Sequence, residues 1–440
     1  MKSKWLKELT WFQGIIGADD HQLPIRFGAH IDLAGEVVFT FDRICFDDKS
    51  RFIFDIWHKE RRHPHWFSLT GEAEDGTEFK TKSLSFDSIG PHSDVVNGCY
   101  LVLVGNCAEA TFTRQLEKPV DAAFIKTHLK GFKSFPSNHK QCELGMVAIA
   151  GMSEFDNPDQ VTGYIAIQAE SKRDNLDIWR SDVEKLIEHI RRILSFSSGT
   201  NLRQPVTEFY HDNIVEIFCY SQVEQRKDAF PVFHFLNHGP ILEVAINSHF
   251  HPPIEAKSLF FIIEWLSMNA TYNEFRLVAG MTALENLIDS NATEDEAFFF
   301  PEADFEKIKK ALRRAVRETT TERLPSYSMD DFNKHLPGKI NELNRRPLRE
   351  KIFLLADRWG VVLDGITEKM IGDAISARNY IIHRGSYYED GLEKVPLIEH
   401  AIVIREIGLR FVMTAIGYKG EYISLLGQYH FAKYPPTPPA

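Results

Sequence analysis

The chain has 440 residues, 43% hydrophobic and 26% charged, ordinary values for a soluble globular protein and long enough for two or three domains. With 62 acidic against 51 basic side chains the formal charge is −11, which argues against a general nucleic-acid coat but leaves room for a local basic groove. No apolar run reaches the length of a membrane span, the longest being broken by Arg405, Glu406 and Arg410, and the first residues lack the apolar core of a signal peptide. Five scattered cysteines, Cys45, Cys99, Cys107, Cys142 and Cys219, form no C-x-x-C pair. They read as buried thiols in a reducing cytoplasm.

In chain order, the first half reads as strands, at residues 26–31, 36–41, 51–57, 65–70, 100–104, 110–114 and 164–169. Turn formers such as Asp47-Asp48-Lys49-Ser50 and Glu74-Asp75-Gly76 separate them. The expectation is a β-sandwich or open barrel over 1–172. An amphipathic helix follows at 177–196, its stripe made by Ile178, Val183, Leu186, Ile187, Ile190, Ile193 and Leu194. Strands at 207–220 and 229–236 complete a linking segment, 173–250. From there the pattern turns helical, at 258–269, 273–290, 302–319, 340–344, 348–359, 368–383 and 395–418. Pro252-Pro253 marks the entry to this helical domain, 251–420, and a proline-rich tail, 421–440, is expected to be extended. The fold class is therefore α+β, a β-rich N-terminal domain before an all-α bundle.

One run concentrates chemistry: Ala377-Arg378-Asn379-Tyr380-Ile381-Ile382-His383-Arg384-Gly385. It ends an apolar, helix-prone stretch, with Gly385 as the expected C-cap. Asn379 and His383 are four apart and share a face, and the long Arg378 side chain can converge on the same point. A proton-transfer group thus sits beside a phosphate clamp. The plain structural alternative is a histidine favoured at a helix end by the macrodipole, with an arginine paired to an acid elsewhere.

Arg-Asn-x-x-x-His followed by Arg-Gly on a late helix resembles the active-site motif of the HEPN superfamily, and within it the ApeA-like branch of bacterial anti-phage proteins. A weaker echo is the run 275–287, whose Ala283-Leu284-Glu285 is similar to an early HEPN helix. The resemblance covers roughly the last 180 residues, the length of one helical bundle, and is sharp only over Arg378 to Gly385. It implies a HEPN-like helical domain and a metal-independent endoribonuclease in antiviral defence, with no cofactor and no metal. Cleavage would use the neighbouring 2′-hydroxyl of RNA, tRNA or mRNA. His383 would transfer protons, Arg378 would offset charge on the phosphate and Asn379 would orient it; a histidine ordinarily titrates at about pH 6.5, which suits such work. Arg384 would line the cleft. Two motifs commonly meet across a two-fold axis in such domains, so a homodimer or higher even oligomer is expected. The apolar surplus of the 395–418 helix points the same way. A phage-derived trigger, a cytoplasmic location and no membrane partner complete the implication. The rival reading is a non-catalytic dimerisation or nucleotide-binding module joined to a β-rich recognition domain.

Lys309, Lys310, Arg313, Arg314 and Arg317, with Lys307, cover one side of the 302–319 helix. They read either as a solvated face or as a track for an RNA backbone, which Arg345, Arg346 and Arg349 would extend. The pairs His63/His65 and His249/His251 lack a third ligand at a recognisable spacing. Signatures of nucleotide triphosphatases, zinc proteases and α/β-hydrolases are missing from the sequence.

Overall fold

The computed structural model describes residues 8–59, 66–94, 98–172, 175–223, 230–268, 270–323, 330–385, 387 and 395–436. They belong to two compact units, Met1–His249 and Phe250–Ala440. The fold is α+β, a large antiparallel sheet in the first half and helices in the second.

Unit 1 runs β1 (Thr10–Ala18), β2 (His21–Ile31), β3 (Val37–Phe41), β4 (Ile44–Cys45), α1 (Arg51–Lys59), β5 (Phe67–Ala73), β6 (Glu78–Asp94), β7 (Gly98–Cys107) and β8 (Glu109–Gln115). It continues with β9 (Phe124–Lys130), β10 (Asn138–Cys142), β11 (Gly145–Ala150), β12 (Val161–Gln168), α2 (Leu176–Ser198), β13 (Val206–His211), β14 (Ile214–Tyr220) and α3 (His238–Phe250). The main path of the sheet is β10-β11-β12-β9-β13-β14-β8-β6-β5-β1-β2-β3, with β7 on β6 and β4 on β7. Its core is aliphatic with a cluster of phenylalanines. Phe12 stands opposite Phe27, and Phe79 opposite Phe112, with ring centroids 5.2 and 4.9 Å apart. Such cross-strand ring pairs contribute beyond the area they bury. The Phe27 ring lies over the facing pair Gly14 and Gly71, where a Cβ at either position would come within 2.8 Å of it. Only glycine leaves room there.

The linking segment is part of this sheet. Strands β13 and β14 pair with β9 and β8 near its middle. Helix α2 is capped by the Asn175 side chain, which accepts from the Ile178 amide, and by left-handed Gly199. The expected stripe is buried except Ile178, which is exposed. Two expectations fail. Residues 51–57 form helix α1, because Asp47 accepts from the amides of Lys49 and Ser50 and starts a helical turn. Phe52, Ile53 and Ile56 then share a helical face, while Phe52, Phe54 and Ile56 read as strand alternation over so short a run. The strand expected at 229–236 is absent over its described part, 230–236, where chain without strand pairing leads into α3. That helix tolerates Pro240 because its first turn has no amide partner to lose. The expectation of buried thiols holds for Cys107 and Cys219 but not for Cys45 and Cys99, which are exposed; none of the five is bonded to another.

His238 is buried, stacks on Phe132 at 5.4 Å, and neither ring nitrogen has a hydrogen-bond partner. Burial holds its pKa down to about 4, and burial with the nearby His249 does the same to His189. Each must stay neutral in the fold but protonates near pH 6.5 once unfolded. Their stabilisation is complete above that pH and is lost as pH falls toward 4. Hydrogen exchange in the unit 1 sheet should therefore lose protection between pH 7 and 4.5. His238→Leu should flatten that loss by roughly 2 kcal/mol; an unchanged pH slope would exclude His238 as its source.

Unit 2 contains α4 (Leu259–Leu266), α5 (Asn273–Asn291), α6 (Glu294–Ala297), α7 (Glu302–Arg323), α8 (Asp330–Glu342), α9 (Leu348–Trp359), α10 (Glu368–Arg384), α11 (Leu397–Ile416) and the hairpin β15 (Gly420–Ser424) with β16 (His430–Tyr434). Helix α11 is the central element, touching α4, α5, α9 and α10. Val403, Ile407, Leu409, Phe411, Val412 and Ala415 are all buried. The apolar surplus expected to serve a second copy is thus used within the unit. Helix α8 begins ten residues before the expected 340, Pro337 having masked it in the sequence. The expected extended tail is also corrected: residues 420–434 form the hairpin, with Tyr422, Ile423, Ser424 and Tyr434 buried. Among the described residues no helix is long and apolar enough to cross a membrane.

Candidate functional site

Helix α10 carries the Arg-Asn-His motif at its C-terminal end. The Thr367 hydroxyl accepts from the Met370 amide and starts it. Gly385, at φ 77°, ends it by donating to the Ile381 carbonyl at 2.9 Å. Ile371, Ala374 and Ala377 are buried, so the last turn presents its polar side outward. Asn379, His383 and Arg384 are exposed, and so is Ile382.

Arg378 is half-buried and doubly engaged. Its Nη2 donates to Glu285 Oε2 at 2.7 Å, and Nη1 donates to Asn379 Oδ1 at 3.2 Å. Its Nε is buried without a partner. Glu285 lies on α5 in the Ala-Leu-Glu run, so the two sequence echoes meet in space through one ion pair. The structure therefore joins Arg378 to Asn379 directly and places His383 one turn further on, about 7.5 Å along the axis from Arg378 by helical rise. Glu285 is the site residue that sequence reading passed over; the signal was there, an acid in the echo helix. The guanidinium fork is not wholly free for a bidentate anion, since two of its donors are used. What remains is a cation fixed in place by Glu285, beside an amide and an exposed imidazole.

Arg384 lies with its guanidinium 4.7 Å from the Tyr380 ring centroid, a cation–π contact that holds it near the helix end. Beside them runs an open groove of about 510 Å³, lined by Tyr272, Glu274, Phe275, Val278, Ile381 and Gly385. Tyr272 and Phe275, at the start of α5, are large aromatics facing water. They were not expected from the sequence, where helical periodicity marks the core face and says nothing of a groove.

The basic helix α7 has local partners. Lys307 pairs with Asp304, Lys309 with Glu306 and Arg314 with Glu318, all on the same helix. Arg313 is half-buried, its Nε without a partner, while Lys310 and Arg317 are exposed. Such i,i+3 and i,i+4 pairs are what a solvated helix face makes, and they reduce the field an RNA track needs. Arg346 is a local tie, donating to the carbonyls of Asp295 and Phe298 and covering the Phe299 ring. Arg349 is paired with Glu368. Among the described residues no group of three or more histidine, cysteine, aspartate or glutamate side chains is arranged to hold a metal ion. His63 and His65 lie outside the described residues.

No family model, curated protein or solved structure matches the chain.

Proposed function

We propose that unit 2 is a HEPN-like, metal-independent endoribonuclease whose active site is Arg378, Asn379 and His383 at the end of α10. The observation that supports this most is the Arg378–Asn379 hydrogen bond anchored by Glu285 beside an exposed histidine. RNA supplies its own nucleophile. His383 removes the 2′-hydroxyl proton, the oxygen attacks phosphorus, the bond to the 5′-oxygen breaks, and that oxygen takes up a proton. The products are a 2′,3′-cyclic phosphate and a 5′-hydroxyl end. Arg378 stabilises the charge developing on the phosphoryl oxygens, where a preorganised cation acts best. Because one histidine must otherwise serve both proton transfers, a second copy facing the first is part of the proposal, as is a role in cytoplasmic antiviral defence under a phage-derived trigger.

A second reading is favoured by one observation: Arg378 is already neutralised by Glu285, as a structural pair between α5 and α10 would be. Unit 2 would then be a non-catalytic binding module. Incubating the purified chain with RNA in EDTA separates the two. Cleavage leaving 2′,3′-cyclic phosphate ends is expected. A strict requirement for a divalent ion in the chemical step would overturn the proposal.

A further inference from the structure

We infer that the groove at the junction of α5 and α10 is a nucleobase subsite, in which Tyr272 and Phe275 stack the base and Glu274 selects guanine. The inference rests on the ribonuclease reading of the neighbouring helix end and extends it to substrate choice. Three observations carry it. Tyr272 is 71% and Phe275 48% exposed, so two large rings face water within four residues. They line one groove with Ile381 and Gly385, which flank His383 in sequence. Its volume of about 510 Å³ falls in the range of small-ligand clefts, about 300–1,000 Å³. Single-stranded RNA is read by stacking splayed bases on aromatic rings and bonding their Watson–Crick edges.

Glu274 supplies the edge reading. It lines the same groove, and its carboxylate has no hydrogen-bond or ionic partner among the described residues. A carboxylate only accepts. Guanine offers N1–H and N2–H side by side, which two carboxylate oxygens can take together. Adenine and cytosine each place a bare ring nitrogen beside the amino group, and uracil flanks its one N–H with carbonyl oxygens. Only guanine avoids an opposed lone pair. An acid in the first turn of α5 suits the helix dipole in any case, so the decisive comparison is among bases.

The test uses the full chain and four labelled 2′-O-methyl tetranucleotides, UUGU, UUAU, UUCU and UUUU, which cannot form the cyclic phosphate, with binding read by fluorescence anisotropy. UUGU is expected to bind on the order of tenfold more tightly than the rest, as a bidentate edge contact allows. Glu274→Gln should bring UUGU to the level of the others. Tyr272→Ala and Phe275→Ala should each weaken all four by on the order of tenfold. Equal binding of all four, no measurable binding, or a guanine preference that survives Glu274→Gln would overturn the inference. Cleavage of unmodified RNA is scored separately. Guanine binding without cleavage would remove the ribonuclease reading and leave the subsite; cleavage without base preference would do the reverse.

Discussion

His383→Ala is expected to lower RNA cleavage by on the order of 10²–10⁴-fold, the usual contribution of a positioned general acid or base. His383 is exposed at the end of α10, so the melting temperature should stay within about a degree or two of the parent, as for other surface changes. Arg378→Ala should also abolish activity, but it leaves Glu285 without its partner. Because both groups are partly exposed, at 23% and 32%, the structural cost is roughly 1 kcal/mol or less. Arg378→Lys separates the roles. Lysine keeps the charge but cannot bridge Glu285 and Asn379 with one planar fork, so it should retain stability and lose most activity. Mixing His383→Ala chains with Arg378→Ala chains tests whether the site is composite, since a shared site regains activity at one of its two positions. Parent-like cleavage by His383→Ala would dismiss the site assignment.

The largest expected stability effect lies elsewhere in unit 2. Glu406 is fully buried on α11. It accepts from Arg410 Nε at 3.1 Å, from the Tyr422 hydroxyl and from Ser424 Oγ at 3.1 Å. Arg410 in turn donates to the carbonyls of Val362 and Asp364. This network ties the C-terminal hairpin and the loop after α9 to the central helix. Burial and the Glu406 charge push the Tyr422 hydroxyl up to about 12, so it stays a donor at any ordinary pH. Glu406→Ala strands Arg410 inside the unit and should cost about 3–5 kcal/mol, the penalty of a broken buried pair. Adding Arg410→Met should recover part of that loss, because a buried charge without its counter-charge is what the single variant suffers from. Chemical denaturation of the two variants checks both statements, and a Glu406→Ala loss below about 1 kcal/mol would mean that water reaches the network.

By itself the sequence determined the elements whose apolar spacing repeats over three or more turns. Helices α2, α5, α9 and α10 lie within a few residues of their expected limits, and the α10 cap at Gly385 follows from local chemistry alone. So does the alignment of Asn379 with His383, which needs only the helical period. The tertiary structure decided what depends on partners distant in sequence. Residues 51–57 become helix α1 because a turn at Asp47 starts it and the core takes Phe52 and Ile53 on one side. The tail becomes a hairpin because Glu406 awaits Tyr422 and Ser424. Arg378 acquires its meaning from Glu285, 93 residues away. Period and capping are properties of neighbours along the chain, whereas burial, ion pairing and a groove between two helices exist only once distant segments have met, and a single chain read in order carries no record of those meetings.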